Sequence, residues 1–140
     1  MKYFGAILFL FLLSASAFAQ ENCILIRAHN IRSGDGVIRY AVYTPEQKFT
    51  GYDVFAEGYV DAKEGTTTFL IKDIPNGEYG IAILHDENND GDMNYSLGIP
   101  KEGFGFSNDA KVKMAPPKFK DASFIKNGEL MLTIKIRYML

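Results

Sequence analysis

Short stretches in which apolar and polar residues alternate dominate this chain, and they predict β-strands. The clearest runs from Leu130 to Tyr138, where Leu, Ile and Tyr at every second position alternate with mostly polar residues. Similar patterns, rich in β-branched and aromatic residues, predict four more strands: Cys23–Ile31, Val37–Tyr43, Thr66–Lys72 and Tyr79–Leu84. The last of these is apolar almost throughout, which is typical of a central strand buried on both faces. The residues that we expect in the core are Ile74, Ile81, Ile83, Leu132 and Ile134.

Turn residues separate these strands, and no segment of helix length shows a period of 3.6 residues. Ser, Gly and Asp predict a turn at residues 33–36, and Pro, Asn and Gly predict another at residues 73–77. Residues 44–63 have room for one short strand or helical turn, and residues 86–119 form a longer irregular segment in which Phe104 and Phe106 are expected to pack against the sheet. The pattern predicts an all-β fold, an antiparallel two-sheet sandwich.

The beginning of the chain has the pattern of an export signal. Lys2 precedes an apolar run from Phe4 to Leu13, and Ala17-Phe18-Ala19 supplies the small residues that a signal peptidase requires. The apolar run is shorter than the roughly 20 residues of a membrane span. We therefore expect a signal peptide at residues 1–19, a single β-sandwich domain at residues 20–140, and a location in the periplasm or the extracellular space.

Composition narrows the range of partners. Residues 1–19 hold one of the 15 Lys and Arg and none of the 17 Asp and Glu, so the remaining domain has a net charge of 14 − 17 = −3. A weakly acidic domain without a basic patch does not fit nucleic acid, and without a basic amphipathic helix we expect no direct membrane insertion after signal cleavage. Cys23 is the only cysteine, which excludes an internal disulfide, and Asn22 before it does not fit a lipidation site.

The long irregular segment is similar to part of a known family. Residues 85–110, with the sequence HDENNDGDMNYSLGIPKEGFGFSNDA, resemble the exported bacterial proteins grouped as domain of unknown function 2141. Further agreement is found at residues 36–38, 42–43, 74–79 and 116–122, so that the resemblance covers essentially the whole chain after the export signal. It implies an exported β-sandwich of the immunoglobulin-like or prealbumin-like kind, and it implies no activity.

Acidic and amide side chains recur at every second position just after the central strand. They are Asp86, Asn88, Asp90, Asp92 and Asn94, and Gly91 lies among them. Oxygen ligands at this spacing fit the first, third, fifth, seventh and ninth places of a calcium-binding loop, and the glycine fits the sixth. We interpret these five residues as candidate calcium ligands and expect the oxygens of the first three to converge on one point.

The pattern also departs from an EF-hand. Leu97 stands where an EF-hand has its bidentate Glu, and a strand precedes the loop instead of a helix. The missing ligand would come from Glu102, Asp109 or water. The alternative is a polar turn without an ion, because Asp, Asn and Gly stabilise turns by themselves. In that case we expect the loop to be mobile or its acids to be compensated by Lys101. In either case we expect Leu97 and Ile99 to anchor the loop on the sandwich.

The sequence favours a non-catalytic module over an enzyme. Two histidines, His29 and His85, and one cysteine are too few for a transition-metal site, and no Ser or Cys lies in a nucleophile motif. We interpret His85 as a hydrogen-bonded residue at a strand end. The expected function is binding of a protein or glycan at the cell surface. The alternative is a small exported hydrolase or metal-dependent enzyme, which requires a pocket that unites His85 with nearby acids.

Overall fold

The computed structural model describes residues 22–140, which form ten strands, a 3-10 turn at Ser107–Asp109 and one short helix, α1, at Phe119–Ala122. The strands are β1 (Ile24–Ile31), β2 (Val37–Tyr43), β3 (Ala56–Asp61), β4 (Gly65–Ile71), β5 (Gly77–Asp86), β6 (Tyr95–Ser96), β7 (Ile99–Pro100), β8 (Gly103–Phe106), β9 (Phe124–Lys126) and β10 (Leu130–Lys135). The export signal expected at residues 1–19 lies outside the described residues. Within residues 22–140, no helix has the length and apolarity needed to cross a membrane.

The two main sheets face each other as a sandwich, which confirms the predicted fold class. The first sheet has the strand order β10-β1-β4, and the second has the order β3-β2-β5-β8, with β9 pairing with the first residues of β5. Strands β6 and β7 form a separate hairpin. One pair departs from the expected antiparallel arrangement, since β1 and β10 are parallel with Ile24 opposite Leu130. The long segment before β10 allows this pairing, because parallel strands need an extended crossover connection.

Side chains that point inward from both sheets form one hydrophobic core. Four of the five residues expected there, Ile74, Ile81, Ile83 and Ile134, are buried, whereas Leu132 is only partly buried and packs against the core from its margin. The alternation in β1 explains why the core forms, because its apolar side chains at every second position all face the opposite sheet. Burial of such side chains contributes about 1.5–3 kcal/mol each.

The five predicted strands are confirmed, and the local sequence explains why strand β8 was not predicted. The last predicted strand ends at Lys135, after which the chain forms a single bridge between Arg137 and Phe104. Strand β8 reads as a loop in the sequence because glycine is rare in strands. Its glycines allow close approach, since a Cβ at Gly105 would lie 2.7 Å from the carbonyl oxygen of Lys135.

A second apolar cluster covers part of the outer face of the second sheet. It consists of Tyr43, Phe49, Phe104, Phe106 and Ala122. The packing expected of the two Phe residues of β8 is therefore confirmed, and so is the burial of β5 on both faces. The remainder of this outer face stays open beside the hairpin β6–β7.

The tip of this hairpin contradicts the expected anchoring of the loop. Leu97 is fully exposed and does not pack on the sandwich, and Ile99 is 41% exposed at the edge of a groove on the second sheet. Leu97 and Gly98 have φ angles of 50° and 78° and connect the two strands directly, as in a type I′ turn. A left-handed φ in a residue with a Cβ costs about 1–2 kcal/mol. The expectation was wrong because the two-residue turn directs position 97 into solvent.

Candidate cation site

Strand β5 ends at Asp86, a buried acid around which the loop is built. Its carboxylate accepts hydrogen bonds from the N–H of Asp90 at 3.2 Å and of Gly91 at 2.9 Å, and Arg39 Nε donates to its Oδ2 at 2.6 Å. Asn89 and Gly91 have left-handed φ angles of 56° and 84°, which Asn and Gly adopt more readily than other residues. The loop can therefore wrap around the carboxylate and surround it with donors.

The turn between β1 and β2 holds the end of β5 from the other side. Gly36 in this turn has a φ of 66°, and a Cβ at this position would lie 2.0 Å from the carbonyl oxygen of Asp86. Only glycine permits this contact, because any side chain would collide with the backbone of the neighbouring strand. The position of Asp86 is therefore fixed by backbone packing as well as by hydrogen bonds.

Three carboxylates meet at the base of the loop. One oxygen from each of Asp86, Asp90 and Glu102 lies within 4.8 Å of the others. The first and the third are buried, and Asp90 is exposed. Asn94 links two of them, since its side-chain amide donates to Asp90 Oδ2 at 2.9 Å and to Glu102 Oε1. The segment between β5 and β8 thus folds back so that its two ends meet at one polar centre.

The five candidate ligands occupy different places in this arrangement. The structure brings Asp86 and Asp90 together and places Asn94 beside them. Asn88 is hydrogen-bonded within the loop, where its amide donates to Asp90 Oδ2 at 3.1 Å and its Oδ1 accepts the N–H of Asp90 at 3.3 Å. Asp92 is exposed and contacts the centre only through its backbone N–H, which donates to Asp90 Oδ1 at 3.0 Å.

Glu102 is the third acid of the centre. It was one of three sources considered for the missing ligand, and Asp109, another of them, accepts instead the N–H of Lys135 at 2.9 Å. The spacing of the loop gave no reason to prefer Glu102, because its approach depends on how the hairpin β6–β7 returns the chain to β8.

The carboxylate of Glu102 is buried without a full set of partners. The residue is 5% exposed, and its Oε2 has no hydrogen-bond partner among the described residues. Burial raises the pKa of Glu102, the hydrogen bond from Asn94 acts in the lowering direction, and the charges of Asp86, Asp90 and Glu87 raise the pKa further. A buried acceptor without a partner is unfavourable, because the loss of its hydration is not compensated.

Asp90 has the opposite electrostatic character. Its pKa is lowered, first by the hydrogen bond from the N–H of Asp92 and then by the amide of Asn94, against the raising effect of partial desolvation. Asp90 therefore retains its charge next to Glu102, and this charge contributes to the electrostatic repulsion among the three carboxylates.

Arg39 is the cation that compensates Asp86, whereas Lys101 was one expectation for a loop without an ion. The side chain of Lys101 is in no ion pair within the described part of the chain, whereas Arg39 bonds Asp86 and donates from its second terminal nitrogen to Asn89 Oδ1 at 3.0 Å. Its guanidinium also lies 5.1 Å from the centre of the Tyr59 ring. One guanidinium beside three carboxylates leaves two negative charges uncompensated when all three acids are ionised.

His85 lies outside the acidic centre because it points to the other face of β5. It is fully buried, and its Nε2 lies 2.8 Å from the carbonyl oxygen of Asp35, so that this nitrogen carries the hydrogen. Its Nδ1, at 2.8 Å from the hydroxyl of Tyr138, is then the acceptor in the neutral ring. Both nitrogens are engaged, in agreement with the interpretation of His85 as a hydrogen-bonded residue at a strand end.

Fold and site together define this chain as a β-sandwich protein with a candidate cation site in the loop that follows β5. The chain belongs to the bacterial family described as uncharacterized protein conserved in bacteria (DUF2141), whose match spans residues 26–132. The resemblance drawn from residues 85–110 is thereby confirmed. No curated protein and no solved structure matches the chain. The family description names no activity.

Proposed function

We propose that this protein is an exported, non-catalytic module that binds one calcium ion through Asp86, Asp90 and Glu102. The ion orders the segment between β5 and β8, and the surface of this segment binds a partner. The observation that carries the proposal is the buried Oε2 of Glu102, which has no hydrogen-bond partner within residues 22–140 while two other carboxylates lie beside it. A cation between the three oxygens supplies this partner and neutralises the remaining charge.

The hydrogen bonds of the loop alone do not separate a calcium loop from a polar turn. The bonds from backbone N–H groups to Asp86 and Asp90 are also expected of a turn that binds no ion. Glu102 is different, because a polar turn requires no third carboxylate, and a buried charge without a matching partner is strongly unfavourable. The third acid therefore supports the calcium proposal over the polar turn.

The ligand chemistry supports calcium over other metals. The three carboxylates and the nearby amides offer only oxygen, which suits hard cations, whereas zinc and copper favour His and Cys ligands. Calcium accepts irregular arrangements of six to eight oxygens, and the exposed side of Asp90 leaves room for water to complete the shell. Outside the cytoplasm a weak site, with a Kd of about 10⁻⁴–10⁻³ M, is sufficient.

The geometry favours binding over catalysis. An enzyme based on His85 requires this ring in a cleft with the acids, but it is fully buried, holds hydrogen bonds at both nitrogens, and lies on the opposite face of β5 from Asp86. The alternative function as a hydrolase or metal-dependent enzyme therefore draws no support from this arrangement.

Thermal unfolding in a chelator and in millimolar calcium tests the proposal. At about 100 times Kd, calcium stabilises the fold by roughly 2.7 kcal/mol, which raises the midpoint of a domain of this size by about 10 °C. Asp90→Asn should lose this shift. Asp92→Asn is the matched control, because it removes the same charge from the same loop but outside the three-acid centre, and it should keep the shift. Equal midpoints of the wild type with and without calcium would leave the polar turn as the correct interpretation.

A further inference from the structure

The tip of the hairpin β6–β7 presents an apolar residue that nothing in the described chain covers. Leu97 is 100% exposed and has a φ of 50° at a turn position that favours Asn, Asp or Gly. Its neighbours Tyr95 and Ile99 expose 62% and 41% of their surface. Exposure and backbone strain are both unfavourable in an isolated chain, and strained residues of this kind concentrate at functional sites.

A groove of about 610 Å³ runs beside this hairpin on the outer face of the second sheet. Ala41 of β2 and Ala82 of β5 lie opposite each other and leave the floor of the groove open, because their side chains are small. Apolar side chains form the walls, among them Tyr52, Met93, Tyr95 and Met114. A concave, mainly apolar site of this volume is typical of a binding site.

The hairpin residues Tyr95, Gly98 and Ile99 line the groove, so the tip and the groove lie next to each other on one face of the molecule. We infer that two copies of this chain form a two-fold dimer in which Leu97 of each copy inserts into the groove of the other. Such an isologous arrangement is the commonest among homo-oligomers. Arg39 in the groove is paired with Asp86, and the two other charged residues of the lining, Glu57 and Lys113, have opposite signs, so that a two-fold axis brings no uniform repulsion.

The exposed apolar residues around the groove set the area that such a dimer can bury. Around the groove, Tyr52, Leu97 and Met114 are fully exposed, and Tyr95 and Met139 are more than half exposed. If all five residues were fully buried, they would contribute on the order of 800 Å² per copy, which is the share of one partner in an interface of standard size.

The base of the hairpin is connected to the cation site. The N–H of Lys101 donates to the carbonyl oxygen of Asn94 at 2.8 Å and closes the hairpin, while the side chain of Asn94 reaches Asp90 and Glu102. An ion that fixes these residues also fixes the tip, and preorganisation strengthens association. The dimer should therefore be tighter in calcium, and this coupling alone rests on the proposed function.

Sedimentation equilibrium of the purified, processed protein from micromolar to submillimolar concentration tests the inference. Leu97→Asn removes the apolar tip but keeps a residue that tolerates left-handed φ, and the thermal midpoint verifies that the variant folds. Because each dimer loses two buried Leu side chains, its dissociation constant should rise roughly 100-fold. Leu70→Asn is the matched control, since Leu70 is also exposed but lies on β4 of the other sheet, and it should dimerise like the wild type.

The outcomes separate this inference from the calcium proposal. A wild type that remains monomeric in calcium overturns the dimer, and so does a Leu97→Asn variant that dimerises as tightly as the wild type. If the dimer is lost in Leu97→Asn but the wild type dimerises equally in calcium and in chelator, the insertion of Leu97 into the groove is supported and its coupling to the ion is overturned. Calcium binding itself is decided by the thermal shift of Asp90→Asn.

Discussion

Replacing Glu102 by Gln tests the electrostatic repulsion among the three carboxylates with little change in the shape of the side chain. Gln keeps an oxygen that accepts the amide of Asn94, but it removes the negative charge that faces Asp86 and Asp90. In metal-free protein we expect the variant to be more stable than the wild type. This is the opposite of the usual result, because most substitutions at buried positions destabilise.

The size of the effect follows from the distance between the acids. Two unit charges 4.8 Å apart repel each other by about 3 kcal/mol at an effective dielectric constant of 20, which sets the scale for Glu102 and Asp86. The ion pair of Asp86 with Arg39 offsets part of this repulsion. We therefore expect a net gain of about 1 kcal/mol, or about 4 °C in the midpoint of a domain of this size.

The difference between variant and wild type should depend on pH in a definite direction. The pKa of Glu102 is raised in the folded state by burial and by the neighbouring acids, so the metal-free folded chain retains a proton that the unfolded chain releases. The resulting stability is fully present below the unfolded pKa of 4.5 and is lost as the pH rises through the folded value. The advantage of Glu102→Gln should be absent below that pH and fully developed above the raised pKa of the folded state.

Unfolding followed by circular dichroism in a chelator measures this difference. Glu129→Gln, at an exposed position, is the control and should change stability by less than about 0.5 kcal/mol. In millimolar calcium the order should reverse, because only the wild type gains the ion. A Glu102→Gln variant that is less stable than the wild type in chelator at about pH 8 would refute the reasoning, since the carboxylate would then be satisfied in the metal-free fold.

Three further predictions concern the fold, the loop and processing. Ile134→Ala should cost about 2–5 kcal/mol in urea unfolding, and wild-type stability would contradict the single core. Gly36→Ala should destabilise the fold and weaken the calcium response, because the added Cβ would collide with the backbone of Asp86. Gly65→Ala, also at positive φ but in open space, is the control and should cost only about 1 kcal/mol. Equal losses of stability in the two variants would contradict the contact between Gly36 and Asp86. Intact mass of the protein from its native host should correspond to a start at Gln20, and an unprocessed chain would argue against export.

The fold could be predicted as far as local patterns determine it. The alternation in β1 and the apolar run in β5 specify their strands and buried faces, because the period of side-chain direction in a strand is two. The parallel pairing of β10 with β1 could not be predicted, since it depends on the path of the intervening chain. Strand β8 was not predicted, because glycines usually indicate a loop. Only the structure shows the close neighbours that require glycine at these positions.

The site was predictable where its residues are close in sequence. The spacing of Asp86 and Asp90 indicated an oxygen-lined loop, and the structure brings these two acids together. Arg39 could not be identified, because its approach depends on the pairing of β2 with β5, although its outward position in β2 was a signal. The expectation for Leu97 failed because apolar character usually indicates burial, and only the turn geometry shows that this position faces solvent.

The most direct test of the central claim is a crystal structure of the protein grown in millimolar calcium, with anomalous scattering recorded to identify the ion. The proposal predicts one calcium peak between the carboxylates of Asp86, Asp90 and Glu102, with oxygen distances of about 2.3–2.6 Å. A structure at saturating calcium in which the three acids keep their positions and no calcium peak lies between them would contradict it.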